Sequence, residues 1–273
     1  MTPIIAFIGV GNMARAIFSG LLSNGYPAEN IIGTSRTAEK RDDYQNHYGM
    51  TMLADNNEAV RQAQVVVLCV KPAQMQAVIE AFSPQVRDDQ LFISVAAGIE
   101  LGSLAHWLNK PVAVVRSMPN TPSQLGAGMT GLIANAHIDA AQKTWVSELF
   151  AGIGDFVWVE DEAHMHTVTS LSGSAPAYFF RFLEAMIKHG QTQGLDDETS
   201  RKLATYTMLG AARMVTELND PIEQLRKNIT SPNGTTEQAL LSFEAANIDK
   251  MVADAMMACV NRSKEMSQDF SAK

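Results

Sequence analysis

The run Ile4-Ile5-Ala6-Phe7-Ile8 passes without interruption into Gly9-Val10-Gly11-Asn12-Met13-Ala14, and the apolar residues Ala16, Ile17, Leu21 and Leu22 then recur at helical spacing up to Gly25. A short unbroken apolar run suits a strand covered on both faces, as the strands of parallel sheets are. Gly-x-Gly-x-x-Ala between such a strand and a helix permits a tight turn and lets the backbone approach a pyrophosphate at the helix N-terminus. Glycine-rich turns also join strands to helices with no ligand. The strand and helix on either side favour a dinucleotide-binding unit, with Gly9, Gly11, Asn12, Met13 and Ala14 as cofactor candidates.

The next strand, Ile31-Ile32-Gly33-Thr34, ends in Ser35-Arg36. A fold selective for NAD usually places an acid here, on the ribose 2′-hydroxyl. This chain offers two hydroxyls and a guanidinium, with Lys40 and Arg41 close behind. A guanidinium pairs with a phosphate that an acid would repel, so NADPH is expected over NADH, through Ser35 and Arg36. The plainer alternative is a solvent-facing helix surface.

Three further apolar runs end in distinctive residues: Val65-Val66-Val67-Leu68-Cys69-Val70 in Lys71-Pro72, Leu91-Phe92-Ile93-Ser94-Val95 in Ala96-Ala97-Gly98, and Val112-Ala113-Val114-Val115 in Arg116-Ser117-Met118-Pro119-Asn120-Thr121-Pro122. Open parallel sheets bind ligands at the carboxyl ends of their strands. Lys71, Pro72, Ala97, Gly98 and Asn120 fall at such ends. One more strand is expected at 126–134, a helix at about 139–150, and a last strand at 156–159, which places a boundary near Glu160. The expected organisation is α/β, with a Rossmann-like NADP-binding domain over 1–160 and an all-helical domain over 161–273.

In the second half every apolar pattern has helical spacing. Val252, Met256, Cys259, Val260, Ser263 and Met266 form one stripe, and residues 203–218 are rich in Ala and Gly. Ser172-Gly173-Ser174-Ala175-Pro176 interrupts the first helix, and Ser174 is expected to cap a restart, because Pro is tolerated only in a first turn. Mostly apolar helices with small-residue faces suit an oligomerisation unit, so a homodimer is expected. Further on, Asn228-Ile229-Thr230-Ser231-Pro232-Asn233-Gly234-Thr235-Thr236-Glu237 reads as a turn followed by a helix with a capping acid in its first turn. Free N–H groups and the hydroxyls of Ser231, Thr235 and Thr236 would meet at one spot, which suits a small carboxylate or phosphate. The same order of residues also serves as a cap with no ligand.

Several classes of function are disfavoured. With 21 basic and 29 acidic residues the formal charge is −8, which argues against nucleic-acid and anionic-membrane partners. Two cysteines, Cys69 and Cys259, make no disulfide framework and point to a reducing compartment; with no basic leader before the first strand, a cytoplasmic protein is expected. No metal is expected: Glu162 and His166 share a helix face but lack an evident third ligand. No nucleophile elbow is present.

A nicotinamide domain followed by a helical domain suggests a reductase. The β-hydroxyacid dehydrogenases resemble this plan, but their Lys after a glycine-rich turn has no counterpart here before Lys188. Imine reduction needs no such acid, because a protonated C=N is already electrophilic. At this point the chain resembles the pyrroline-5-carboxylate reductases, in Gly9 to Ala14, Val70-Lys71-Pro72, Ala96-Ala97-Gly98, Met118-Pro119-Asn120-Thr121-Pro122, Leu171-Ser172-Gly173-Ser174-Ala175-Pro176-Ala177-Tyr178, and Ile229 to Thr236. The resemblance implies NADPH-dependent hydride transfer to C5 of Δ1-pyrroline-5-carboxylate, giving L-proline. It also implies intertwined dimers, often assembled further, whose active sites each take a helix from the partner. It implies that Ser231 and the amides of Gly234, Thr235 and Thr236 bind the substrate carboxylate. The catalytic residue it implies is Thr236, facing the ring nitrogen, with Asn228 and Glu162 lining the pocket. Asn56 would touch the adenosine ribose, and Val70-Lys71-Pro72 and Ala96-Ala97-Gly98 the nicotinamide side. Asn233 and Ala175 stand where Gly is usual in relatives. The competing functions are a hydroxyacid-type dehydrogenase and an NADP-binding protein without turnover.

Overall fold

The computed structural model describes residues 2–271. Strands and helices alternate through its first part: β1 (Ile5–Ile8), α1 (Asn12–Ser23), β2 (Ile31–Thr34), α2 (Ala38–Tyr48), β3 (Thr51–Leu53), α3 (Asn56–Gln62), β4 (Val65–Leu68), α4 (Pro72–Phe82), β5 (Leu91–Ser94), α5 (Leu101–Leu108), β6 (Ala113–Met118), β7 (Gly128–Ala134), α6 (Ala140–Ala151) and β8 (Gly154–Trp158). They form one sheet in the order β3-β2-β1-β4-β5-β6-β7-β8. Strands β1 to β6 run parallel, and β7 turns antiparallel to β6. Strand alternation divides the core into two layers. Ile5 and Phe7 join Phe18, Val67 and Phe150 on one face; Ala6 and Ile8 join Leu68, Phe82 and Phe92 on the other. That double burial is why β1 and β4 are apolar at every position. The order reverses between β1 and β4, and the crevice at their carboxyl ends is where a doubly wound sheet receives a dinucleotide.

Helices follow without further strands among the described residues: α7 (His164–Val168), a π-helical turn (Thr169–Gly173), α8 (Ala175–Thr192), α9 (Asp197–Glu217), α10 (Ile222–Asn228), α11 (Thr235–Ala245) and α12 (Ile248–Asp269). Packing divides the chain into two compact units. One contains the residues up to Ser174 together with those from Ala258 onward; the other contains Ala175–Met257. The sheet ends at Trp158, so the change from α/β to helix falls close to Glu160, while the end of α12 packs with the sheet unit.

The restart expected at Ser174 takes another form. Ser174 is helical (φ −94°, ψ −20°), and its N–H donates to Thr169 O, five residues back, at 2.8 Å. The chain therefore widens by one residue, a π-bulge, and continues. Pro176 supplies the reason: it has no N–H for Ser172 O, and its ring would press on that carbonyl in a regular helix. In the helical unit large apolar side chains face outward, among them Phe179, Phe180, Leu203, Leu209 and Tyr206, the last 67% exposed.

Candidate active site

The cofactor candidates gather at the carboxyl ends of the sheet. Gly9 leaves β1 at φ +87°, and a Cβ there would lie 3.0 Å from Val70 Cγ1 and 3.5 Å from the Cys69 carbonyl, so both the turn and the approach of β4 require glycine. Gly9 N–H donates to Thr34 Oγ1 at 3.0 Å, which ties the turn to β2. Gly11, the N-cap of α1, has no side-chain cap and open space where a Cβ would stand. The α1 N-terminus, with Asn12, Met13 and Ala14 in its first turn, thus presents free amides beside an unfilled cradle. These residues fit a dinucleotide pyrophosphate.

Beyond β2, Arg41 Nη1 donates to Ser35 O at 2.8 Å and to Arg36 O at 3.1 Å, holding that loop from below. Arg36 is exposed and forms no ion pair among the described residues, so its guanidinium is available. Asn56 opens α3, whose cap is made by the Asp55 carboxylate accepting from Asn57 N–H at 2.9 Å. Lys71 is the N-cap of α4 and Pro72 its first residue, a position that needs no N–H. Ala96 and Gly98 are buried and Ala97 half-buried. Burial pushes the Cys69 thiol up, so it stays protonated and is no nucleophile.

Two candidates have side chains that are already engaged within the protein. Asn120 donates from Nδ2 to Ser172 O and Oγ, both at 3.3 Å, and accepts from Met129 N–H at 3.0 Å; Ser172 Oγ donates to Met129 O at 3.1 Å. Asn120 thereby satisfies the carbonyl that Pro176 leaves free, and pins the π-turn to β7. Its side chain has no donor left for a nicotinamide amide. Glu162 likewise accepts from Arg116 Nη1 at 2.9 Å and from Leu101 N–H at 2.8 Å. Arg116 is 3% exposed, so Glu162 neutralises a buried cation and caps α5 across the fold. Neither Arg116 nor its neighbour His166 was singled out as a functional residue from sequence. A charge directly after Val114-Val115, inside a buried strand, is the signal that a carboxylate must stand nearby.

The other candidates lie in the helical unit. Asn228 ends α10, where its Oδ1 accepts from Gln224 Nε2 at 2.7 Å. Gly234 N–H donates to Ser231 O at 2.9 Å and closes the turn, with Asn233 in the left-handed region at φ 60°. Glu237 Oε2 accepts from Asn233 N–H at 2.7 Å, so the acid expected as a cap is one. Gly234 caps α11 with no side chain, and the Thr235 and Thr236 amides and hydroxyls have no protein partner among the described residues. That arrangement can accept a carboxylate with two or more N–H groups and one or two hydroxyls.

Known proteins match this chain along nearly all of it. The family model for pyrroline-5-carboxylate reductase dimerisation matches residues 162–266, and a model described as NADP oxidoreductase coenzyme F420-dependent matches residues 4–98. The pyrroline-5-carboxylate reductase of Pseudomonas aeruginosa is 44% identical over 269 residues, which cover 98% of each chain. A solved pyrroline-5-carboxylate reductase from Coxiella burnetii superposes with a TM-score of 0.93 at 41% identity, covering 98% of this chain and 99% of that one. The Plasmodium falciparum pyrroline carboxylate reductase, solved with NADP bound, superposes at 0.87 with 28% identity, covering 97% and 98%. Sequence and fold agree from end to end, and the chain belongs to the pyrroline-5-carboxylate reductase family, NAD(P)H-dependent oxidoreductases of proline biosynthesis.

Proposed function

We propose that this enzyme reduces the C=N bond of Δ1-pyrroline-5-carboxylate at C5, with NADPH as the reductant, and releases L-proline. The observation that carries the reading is the open N-terminus of α11, in a chain whose relatives bear that enzyme's name. The dinucleotide supplies the hydride. The chain's own residues bind and orient. The amides of Gly234, Thr235 and Thr236 and the Ser231 hydroxyl grip the substrate carboxylate, helped by the α11 dipole. The Thr236 hydroxyl stands at the ring nitrogen and gives it a hydrogen bond as C=N becomes C–N. Asn228 and Glu162 border the ring, Glu162 through the free face of a carboxylate already bound to Arg116. An iminium nitrogen carries its proton into the reaction, so no strong general acid is required. Thr236→Ala is expected to lower kcat/KM by about tenfold to a hundredfold, the loss of one hydrogen bond of roughly 1.5–3 kcal/mol in the transition state. Unchanged kinetics would remove Thr236 from the mechanism.

On the cofactor side, the Gly9–Ala14 turn holds the pyrophosphate, Asn56 the adenosine ribose, and Ser35 and Arg36 the 2′-phosphate. Val70, Lys71, Pro72, Ala96, Ala97 and Gly98 border the nicotinamide, with Asn120 shaping that border from behind. Arg36→Asp is expected to weaken NADPH by roughly tenfold or more, and NADH far less, because only NADPH carries the dianion. Equal losses for both cofactors would remove the 2′-phosphate from Arg36.

The outward apolar faces of α8 and α9 support a homodimer formed through the helical unit. No helix among the described residues is long and apolar enough to cross a membrane, and we read the working enzyme as cytoplasmic. The decisive assay follows loss of reduced-nicotinamide absorbance with the cyclic imino acid and with hydroxy and keto acids in parallel. Turnover of hydroxy or keto acids alone would make the chain a hydroxyacid-type dehydrogenase; no turnover of any of them would leave a nucleotide-binding protein.

A further inference from the structure

The last turns of α12 bear directly on residues 96–98. Met266 covers Gly98 so closely that a Cβ on that glycine would lie 2.9 Å from the Met266 Cβ. One turn earlier Ser263 Oγ lies 2.9 Å from His166 Nδ1, and both side chains are buried. Cys259 Sγ meets Ser174 Oγ at 3.4 Å, and Phe270 packs on the second core layer. The groups facing His166 come from every side: Arg116 on β6, Glu162 ahead of α7, Glu100 ahead of α5, and Lys264 on α12 itself. Burial first, then the Arg116 guanidinium, holds the imidazole below its usual pKa, while Glu100 and Glu162 pull the other way. It is therefore neutral at pH 7.

We propose that His166 is a positioning residue for the dinucleotide: its bond to Ser263 keeps the end of α12 on the 96–98 loop, and a proton on its ring, by disturbing the Arg116–Glu162 pair that holds Leu101 at the far end of that loop, weakens cofactor binding. A proton on His166 places a second cation beside Arg116, where both compete for the Glu162 carboxylate. That carboxylate also holds Leu101 N–H at the far end of the same loop. The Leu101 end of the loop loosens. The inference rests on residues 96–98 bordering the nicotinamide, as in the proposed function.

The sign follows from linkage. A histidine with a lowered folded pKa is fully compatible with the fold above its unfolded value, about 6.5, and costs stability as pH falls through that value. Gln can replace the hydrogen bond to Ser263 but cannot take up a proton. The test is an NADPH titration by fluorescence, without imine, across about pH 8 to about pH 5.5, on wild type and His166→Gln, with thermal midpoints at each pH. The NADPH 2′-phosphate titrates near pH 6 in both proteins, so the readout is the difference between them. Wild-type Kd should rise roughly threefold to tenfold more than the variant's on acidification. Parallel slopes overturn the proposal, and so does a variant whose thermal midpoint falls while its Kd keeps the wild-type slope. Ser263→Ala gives a second reading should the glutamine variant not fold: weaker binding at neutral pH is expected, and wild-type affinity overturns the proposal. Failure of the wild type to bind NADPH at any pH would instead remove the cofactor reading, and this inference with it.

Discussion

Glu162→Ala is expected to destabilise the folded chain by about 2–4 kcal/mol, seen as a lower urea midpoint at an unchanged slope. The effect comes from what is left behind. Arg116 is 3% exposed and has its carboxylate 2.9 Å away; without Glu162 a guanidinium stays buried with no counter-charge, and Leu101 N–H loses its acceptor. Removing one partner of a fully buried pair costs about 3–5 kcal/mol, and the 29% exposure of Glu162 admits water and lowers that figure. The pair itself contributes far less than its disruption costs, because desolvating both ions offsets most of their attraction. Arg116→Met combined with Glu162→Leu should accordingly be less destabilising than either single change, a coupling that a double-mutant cycle measures. A single Glu162→Ala with an unmoved midpoint would show that the carboxylate holds nothing.

What could be read from the sequence tracks how local each signal is. Strands β1 and β4 are continuous apolar runs, β5 departs from one only at Ser94, and the Gly9 turn sits between a strand and a helix, so the dinucleotide fold follows from a few residues at a time. The capping acid Glu237 and the left-handed Asn233 are local too. Strand β3 is three residues long with an exposed first residue, too short for alternation to stand out. The reversal of β7 left a usable signal: only a short 3-10 turn (Thr121–Leu125) separates it from β6, and a parallel return needs a longer crossover. The π-turn left none, since it depends on Ser172 meeting Asn120 from 52 residues away. Glu162 presents the same difficulty. Its partners Arg116 and Leu101 are 46 and 61 residues off, so a residue resembling a pocket wall in sequence also carries part of the fold. The return of α12 to the sheet unit is equally non-local; its stripe was legible, and the surface it covers was not.

Gly234→Ala is expected to lower kcat/KM by about a hundredfold while dinucleotide affinity stays as it was. Conformational freedom is not the reason: at φ −83° and ψ 169° alanine is comfortable. The obstacle is space. A Cβ at position 234 would lie 2.9 Å from Ser231 O and 3.4 Å from Ser231 Cβ. The nearer atom is backbone, and it accepts the 2.9 Å bond from Gly234 N–H that closes the turn, so the turn itself has to open. In the proposed site, opening it would swing the Thr235 and Thr236 amides away from the substrate carboxylate and carry the Thr236 hydroxyl off the ring nitrogen. Misplacing reacting groups by about 1 Å is enough for a hundredfold loss. Folding should notice little, since this end of α11 is largely exposed and its Glu237–Asn233 bond survives. The contrasting change is Asn233→Gly. Asn233 already adopts φ 60°, which glycine takes without strain, so turnover should stay within roughly a factor of three of wild type. Wild-type kcat/KM in Gly234→Ala, with the substituted turn intact, would mean that the carboxylate is held somewhere other than the head of α11.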